Sequence, residues 1–176
     1  MSHYDFAENF HSLYDRTLRQ YAAGQRSLPT YFSVEELGFL SSNGLAAQSL
    51  FDYAEDHHNY GVPGYDNALL IEQVRRDYFL NVQLGRASSQ VLDADKMPGK
   101  TEAAHGIEWL PRLIPKAKAK LRGELPPSLM YCCGGDRRFF QTHDILPAEF
   151  LTLVWRNQQD DNAIVNWVVA RSGKAK

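Results

Sequence analysis

Two adjacent cysteines are the side chains of this sequence best suited to covalent chemistry. Cys132 and Cys133 stand a few residues before Arg137, Arg138 and His143. A cation beside a thiol lowers its pKa and favours the nucleophilic thiolate, so the stretch holds the residue types of a catalytic cysteine. A buried cysteine behaves instead as a small apolar side chain. Both interpretations stay open, and an enzyme is one alternative for the function.

A glycine-rich segment with two arginines, Gly134–Arg138, is a candidate for anion binding. Its glycines give the backbone freedom, and each guanidinium can bind a carboxylate or phosphate through two hydrogen bonds. No Gly-Lys-Ser or Gly-Lys-Thr follows, so the segment is not a nucleotide-binding phosphate loop. The structural alternative is a turn in which Asp136 caps one helical turn over residues 137–140.

Five basic residues without an intervening acid precede this segment: Arg112, Lys116, Lys118, Lys120 and Arg122. Such a stripe can meet phosphates, because phosphate contacts need only clustered positive charge. Lysines opposite an apolar face are also what an ordinary solvated helix shows. Weak nucleic-acid binding is therefore a further alternative, although a nucleic-acid partner is not expected.

A polar cluster ends an earlier helical stretch and contains types of residue that bind metals: Asp52, Glu55, Asp56, His57 and His58. Only Glu55 and His58 have the spacing that places two ligands on one face of a helix, and no third ligand is indicated. Histidines near a helix C-terminus also suit its dipole. The sequence predicts no metal site and no cofactor.

The elements that must position these residues are helices, because apolar residues recur every three to four positions along most of the chain. Helices are expected from Asp5 to Gly24, from a capping box at Ser33 to Gly44, through residues 45–58, from Asp66 to about Val82, over 110–122, from Pro147 to Trp155 and from Ala163 to Ala170, with one helical turn at Phe139-Phe140. Pro115 is expected to fit its helix only with a kink or a later start. Trp109 and Trp167, in or beside apolar faces, are expected to be largely buried. The predicted fold class is mainly α and bundle-like, with at most one short extended stretch near Leu129–Cys133.

A composition shift divides the chain. Residues 85–104 contain serines, glycines, a proline and mixed charge with little periodicity, which is typical of a linker. The sequence thus predicts a helical region over 1–84, a linker over 85–104 and a helical domain over 105–176. A faint echo links the two halves, since Gly44-Leu45 before Leu50 resembles Ile145-Leu146 before Leu151, and Asp66-Asn67-Ala68 resembles Asp161-Asn162-Ala163.

Residues 105–172 resemble a bacterial family known as domain of unknown function 5069. The segments that carry the resemblance are Trp109-Leu110-Pro111-Arg112-Leu113-Ile114-Pro115-Lys116-Ala117 through Gly123, then Gly135-Asp136, Ile145, Phe150-Leu151 and Trp167. Pro115 stands where the family has an acidic residue, and Asp144 where a glycine is usual. The resemblance implies a helical, bacterial, cytoplasmic protein and no particular reaction.

Composition and charge narrow the class of protein. The chain has 176 residues, 44% of them hydrophobic, and a formal charge of −2 from 19 basic and 21 acidic residues, which argues against a dedicated nucleic-acid coat. No secretory signal opens the sequence, no run of about 18 apolar residues suggests a membrane span, and two adjacent cysteines give no disulfide framework. A soluble, cytoplasmic protein with free thiols is expected.

The leading hypothesis for function is a binding module for a small anionic molecule or a protein partner. The candidate ligand-binding residues lie near the 131–138 loop and the start of the basic helix: Arg112, Lys116, Tyr131, Cys133, Asp136 and Arg137. An enzyme using a cysteine or a carboxylate in a cleft near Tyr131–Arg138 is the principal alternative. The oligomeric state is not indicated.

Overall fold

The structure is a computed structural model that describes residues 3–174, with the side chains of 3–173. It confirms the mainly α fold class. The chain divides into two compact units, Met1–Ala87 and Ser88–Lys176. No helix within the described residues is both long enough and apolar enough to cross a membrane.

The first unit contains four helices. They are α1 (Phe6–Ala22), α2 (Val34–Ser42), α3 (Ala47–Tyr60) and α4 (Tyr65–Asn81), with a 3-10 turn at Leu28–Thr30 between α1 and α2. The apolar face of α1 packs against α3 and α4. Phe10, Leu50 and Ile71, one from each of these three helices, have no exposed surface. Burial of these stripes is what holds helices of this length in place.

The helix starts show which sequence signals were right. The capping box is confirmed, because the Glu36 N–H donates to Ser33 Oγ at 3.2 Å and the Ser33 N–H donates to Glu36 Oε2 at 2.7 Å. Asp5 precedes α1 as expected but makes no capping hydrogen bond with its side chain. Asp66 does not cap α4, since the helix begins one residue earlier and Asp66 lies in its first turn, where a carboxylate suits the dipole.

The second unit also contains four long helices: α5 (Leu110–Arg122), α6 (Gly134–Thr142), α7 (Pro147–Arg156) and α8 (Asp161–Lys174). A 3-10 turn at Ala94–Lys96 and a two-stranded hairpin, β1 (Ala103–Ala104) and β2 (Ile107–Glu108), precede them. The strands pair antiparallel, with Ala104 opposite Ile107. His105 and Gly106 connect them with φ of 51° and 80°, as a tight two-residue hairpin turn requires.

Several local expectations for this unit were wrong. Residues 129–133 form turns and irregular backbone, and the short extended stretch is the hairpin instead. The single turn expected at residues 139–140 is the middle of α6, because the two glycines belong to the helix and Asp136 lies in its first turn. Helix α5 has the expected bounds, Leu110–Arg122, so Pro115 lies inside it and does not delay its start. The linker expected over residues 85–104 stays a prediction; residues 88–104 are grouped with the second unit, where the Leu92 N–H donates to the Glu124 carbonyl at 2.8 Å.

The two units repeat one arrangement at a spacing of 100 residues. Helix α1 packs against α3, and α5 packs against α7. Buried residues recur in pairs: Leu13 and Leu113, Tyr21 and Leu121, Tyr31 and Tyr131, Phe39 and Phe139, Leu40 and Phe140, Leu45 and Ile145, Leu50 and Phe150, Ala54 and Val154. Gly44 and Asp144, which follow α2 and α6, both have positive φ. The sequence echo paired Gly44 with Ile145, whereas the structure pairs Gly44 with Asp144. The observed spacing is therefore one residue shorter than the echo predicted.

An ion pair also recurs at this spacing. Arg16 of α1 contacts Glu36 of α2 at 2.7 Å, and Lys116 of α5 contacts Asp136 of α6 at 2.8 Å. The first pair is about one-third exposed, with side-chain exposures of 33% and 27%, whereas the second is sealed, at 3% and 0%. The same charge arrangement therefore lies in two different dielectric surroundings.

Candidate functional site

A cleft of about 800 Å³ opens in the second unit beside the hairpin. The residues that line it come from the hairpin, the start of α5, and one face each of α6 and α8: Lys100, His105, Gly106, Ile107, Glu108, Trp109, Gly135, Arg138, Phe139, Thr142, His143, Val169, Ser172 and Gly173. Positions 135, 138, 139 and 142 share one face of α6, because they are spaced by three and four residues. The volume is within the usual range of small-molecule sites.

The charge that faces the cleft is mainly positive. Lys100 and Arg138 are exposed cations, His105 and His143 add two imidazoles, and Glu108 is the one carboxylate among the lining residues. Within the described residues, the Arg138 guanidinium makes no hydrogen bond or ion pair. Its five N–H donors are therefore available to a ligand in a planar fork that fits a carboxylate or phosphate.

Trp109 forms part of the wall, in an unusual backbone conformation. Its φ is 71°, in the left-handed region, and it immediately precedes α5. The indole N–H donates to Asp136 Oδ1 at 2.9 Å. The ring lies so close to Gly135 that a Cβ at that position would be 2.3 Å from a ring carbon. Trp109 and Trp167 both have intermediate exposure, and Trp109 borders the cleft.

The buried ion pair lies directly behind this tryptophan. Lys116 Nζ donates to Asp136 Oδ1 at 2.8 Å and to Oδ2 at 3.0 Å, and the Cys132 N–H donates to Oδ2 at 2.9 Å. Together with the indole N–H, these donors satisfy both oxygens of a carboxylate that has no exposed surface. Asp136 is thus fixed from three directions, and its hydrogen bond fixes Trp109.

The six residues predicted from the sequence as ligand-binding lie behind or beside the cleft. Lys116, Cys133 and Asp136 are brought together, with Cys133 Sγ 3.5 Å from Lys116 Nζ. Other members of the set bond to backbone carbonyls: Arg112 to Pro98 at 2.7 Å, Arg137 to Cys132 at 2.7 Å and Tyr131 to Pro147 at 2.8 Å. Burial raises the pKa of Tyr131 well above its ordinary value. Within residues 3–173, none of the six lines the cleft.

The basic stripe of α5 is not an open positive face. Lys116 and Lys120 are buried, Lys118 contacts Asp161 at 2.5 Å, and Arg122 contacts Glu124 at 2.7 Å. Lys118 and Arg122 therefore already make ion pairs within the unit. An extended phosphate backbone would have to compete with them.

The polar end of α3 is occupied by local contacts. Glu55 Oε1 accepts a hydrogen bond from the Tyr21 O–H at 2.9 Å, and the His58 ring packs 5.5 Å from the Tyr21 ring. In the part of the chain that the structure describes, no three His, Cys, Asp or Glu side chains converge as metal ligands.

His143 and Ser172 are cleft residues that sequence reasoning missed as a pair. Ser172 Oγ is 2.8 Å from His143 Nδ1 and also 2.7 Å from the Val168 carbonyl. Burial lowers the pKa of His143, so this imidazole is neutral at pH 7. The signal that could have located the site was the spacing of Gly135, Arg138 and Thr142, which becomes visible only when the glycines are assigned to a helix.

The first unit shows why the cleft belongs to the second. At the 100-residue spacing, Asn9, Glu35, Gly38 and Asn43 stand where the second unit has Trp109, Gly135, Arg138 and His143. Arg76 of α4 reaches Asn43 Oδ1 at 2.6 Å and lies 4.6 Å from the Phe6 ring. Position 106, by contrast, is a glycine. In the first unit, Arg76 and Phe6 thus occupy the region that corresponds to the open cleft of the second unit.

Comparisons of the chain with protein-family models, with curated proteins and with solved structures give no match.

Proposed function

We propose that the second unit is a binding module for a small anionic molecule, which it holds in the cleft beside the hairpin. The observation that carries the proposal is Arg138, an exposed guanidinium on the cleft face of α6 that has no partner among the described residues. Lys100 adds a second positive charge to the same cavity, and two imidazoles add polar groups. A concave site with apolar walls and a few convergent cations suits an anionic metabolite.

Two earlier alternatives are less well supported. Basic side chains of α5 already make ion pairs within the unit, such as Lys118 with Asp161. This arrangement gives less support to nucleic-acid binding. Cys133 lies beside Lys116, and His143 bonds to Ser172, so a cysteine–histidine pair is not formed. Membership of residues 105–172 in the family called domain of unknown function 5069 remains part of the proposal. Trp109, Gly135 and Asp136, which carry that resemblance, also build the cleft wall.

The test is a calorimetric titration of the full chain with four probes: inorganic phosphate, pyrophosphate, benzoate and phenyl phosphate. We expect at least one probe to bind with one site per chain and to remain bound at about 0.15 M salt, where loose attraction between exposed charges is largely screened. Arg138→Gln should weaken binding by about tenfold or more, because hydrogen bonds to charged groups contribute about 1.5–3 kcal/mol.

Arg156→Gln is the matched control. Arg156 is an exposed arginine at the end of α7 in the same unit, and it does not line the cleft. Binding should survive this change. No binding of any probe at up to about 10 mM, or an equal loss in both variants, would show that the cleft is not an anion site.

The Ser172–His143 contact favours one second candidate, ester hydrolysis. With His143 protonated at Nε2, Ser172 Oγ would attack the ester carbonyl carbon as its proton passes to Nδ1. His143 would return that proton to the departing alcohol, and water would then hydrolyse the acyl-serine. The hydroxyl has a single proton, however, and donating it to the Val168 carbonyl makes Ser172 an acceptor instead. That geometry is the reason for ranking hydrolysis second.

Turnover of p-nitrophenyl acetate separates the two candidates. Hydrolysis that is abolished by Ser172→Ala and by His143→Asn would support the enzyme. If the wild type hydrolyses the ester no faster than these two variants do, the hydrolysis candidate is refuted and anion binding is the remaining function.

A further inference from the structure

Two neighbouring side chains, Asp136 and Lys116, hold Trp109 in one orientation at the cleft wall. Asp136 accepts the indole N–H at 2.9 Å, and Lys116 holds that carboxylate from the other side at 2.8 Å. Lys116 and Asp136 are almost completely buried, with side-chain exposures of 3% and 0%. A buried carboxylate with every acceptor position engaged cannot rotate without losing a hydrogen bond. The indole is therefore fixed before any ligand arrives.

The position of the ring depends on the absence of a side chain at residue 135. A Cβ there would lie 2.3 Å from Trp109 Cζ2 and 2.4 Å from Cη2, closer than real contacts allow. The neighbouring Gly134 differs, because its Cβ would meet only the Arg137 side chain, at 3.8 Å. Gly135 thus admits the ring, whereas Gly134 has no such role.

A comparison with the first unit distinguishes the ion pair, which both units have, from the tryptophan and glycine of the cleft wall. It has its own ion pair at the corresponding positions, Arg16 with Glu36, but Asn9 and Glu35 stand in place of the tryptophan and the glycine. The ion pair is thus common to both units, while the tryptophan and the glycine that admits it stand in the second unit and not at the corresponding positions of the first. An indole kept in place at a cleft wall is suited to stacking against a flat ring.

We infer that the ligand of the cleft is a flat, aromatic or heteroaromatic anion, whose ring packs against Trp109 while its charge meets Arg138. Phe139, Ile107 and Val169 supply further apolar surface for the ring. Asp136 is a positioning residue in this arrangement, since it acts on the ligand through Trp109. This inference rests on the proposed function and adds the class of ligand to it.

The experiment compares phenyl phosphate, cyclohexyl phosphate and inorganic phosphate by calorimetry on the full chain. The two organic probes carry the same charged group on rings of similar size, but only one ring is flat. We expect phenyl phosphate to bind the wild type about two- to tenfold more tightly than cyclohexyl phosphate, the range expected of an aromatic pair. Its binding should also quench the emission of Trp109.

Gly135→Ala is the decisive variant, and Gly134→Ala is its control. Displacing the ring should remove the preference for phenyl phosphate in Gly135→Ala and leave the affinity for inorganic phosphate within about twofold, because Arg138 is untouched. Gly134→Ala should keep the preference. Trp109→Phe should retain it in part and Trp109→Leu should lose it, which tests the same point if Gly135→Ala fails to fold.

The outcomes distinguish failure of the flat-ligand inference from failure of the proposed anion site. Equal binding of the two organic probes, with loss of both in Arg138→Gln, would overturn the flat-ligand inference and leave the anion site standing. Binding of none of the three would overturn both. A preference for phenyl phosphate that survives Gly135→Ala and Trp109→Leu would place the ring elsewhere in the cleft and refute the role of Trp109.

Discussion

Replacing Lys116 with methionine should destabilise the second unit far more than the corresponding change destabilises the first. Methionine keeps most of the length and apolar volume of the lysine stem but removes the ammonium. Asp136 would then be left as a carboxylate with no exposed surface, held only by the neutral N–H groups of Trp109 and Cys132.

The magnitude follows from distance and burial. At 2.8 Å the gross attraction between Lys116 and Asp136 is about 6 kcal/mol at an effective dielectric of about 20. Part of this offsets the cost of removing two charges from water, and breaking one side of such a pair costs about 3–5 kcal/mol. The Arg16–Glu36 pair is about one-third exposed, so its solvent-screened contribution is about 0–1 kcal/mol.

Urea denaturation followed by far-ultraviolet circular dichroism measures both variants, and the three tryptophans, Trp109, Trp155 and Trp167, report the second unit alone. We expect Lys116→Met to lower the free energy of unfolding by about 3–5 kcal/mol and Arg16→Met by no more than about 1 kcal/mol. In a double-mutant cycle, Lys116→Met with Asp136→Asn should cost less than the sum of the single changes. Equal costs for Lys116→Met and Arg16→Met would refute the argument from burial.

Three further predictions concern the helix ends and the cleft. Gly44→Ala should cost more than about 2 kcal/mol in a denaturation experiment, because φ is 69° and the new Cβ would lie 2.3 Å from Phe79 Cγ; a neutral effect would contradict this geometry. Ser33→Ala should cost about 1 kcal/mol and Ser33→Gly only a few tenths, and the reverse order would show that the capping box contributes nothing. The lowered pKa of His143 means that the unfolded chain takes up a proton near pH 6.5 while the folded chain does not, so stability falls as the pH drops below 6.5. Thermal unfolding across that range should show a weaker dependence on pH in His143→Asn, and an unchanged profile would exclude this histidine as a cause.

The helices were predictable because their signals are local. Apolar spacing such as that of Phe10, Leu13 and Tyr21 depends on 3.6 residues per turn, and the Ser33 capping box involves four consecutive residues. The length of helix α6 was underestimated, since Gly134 and Gly135 suggest a turn when the packing of Trp109 against Gly135 is unknown. Tertiary contact overrode local propensity there.

The cleft was not predictable for a different reason. Its walls come from the hairpin, from α6 and from α8, which are separated by about 30 residues at each step. The basic and glycine-rich segments correctly drew attention to this half of the chain. Which of their side chains face the cleft depends on burial, because Lys116 and Asp136 are buried in the unit and Arg138 lines the cavity. A sequence pattern alone does not show which of two neighbouring arginines faces a cavity.

The 100-residue repeat has a consequence for how the chain folds. Neighbouring units with the same helix order are prone to exchange equivalent helices, a characteristic error of multidomain and repeat proteins. From pairs 6/106 to 60/160, identical residues occur in only four of the 55 pairs: Glu8 and Glu108, Leu13 and Leu113, Tyr31 and Tyr131, Phe39 and Phe139. Helix α1 inserted in place of α5 would force Phe10 and Tyr21 into sites filled without exposed surface by Leu110 and Leu121. Such overpacking costs about 1–3 kcal/mol at each site, so the divergence between the two units protects each from misassembly with the other.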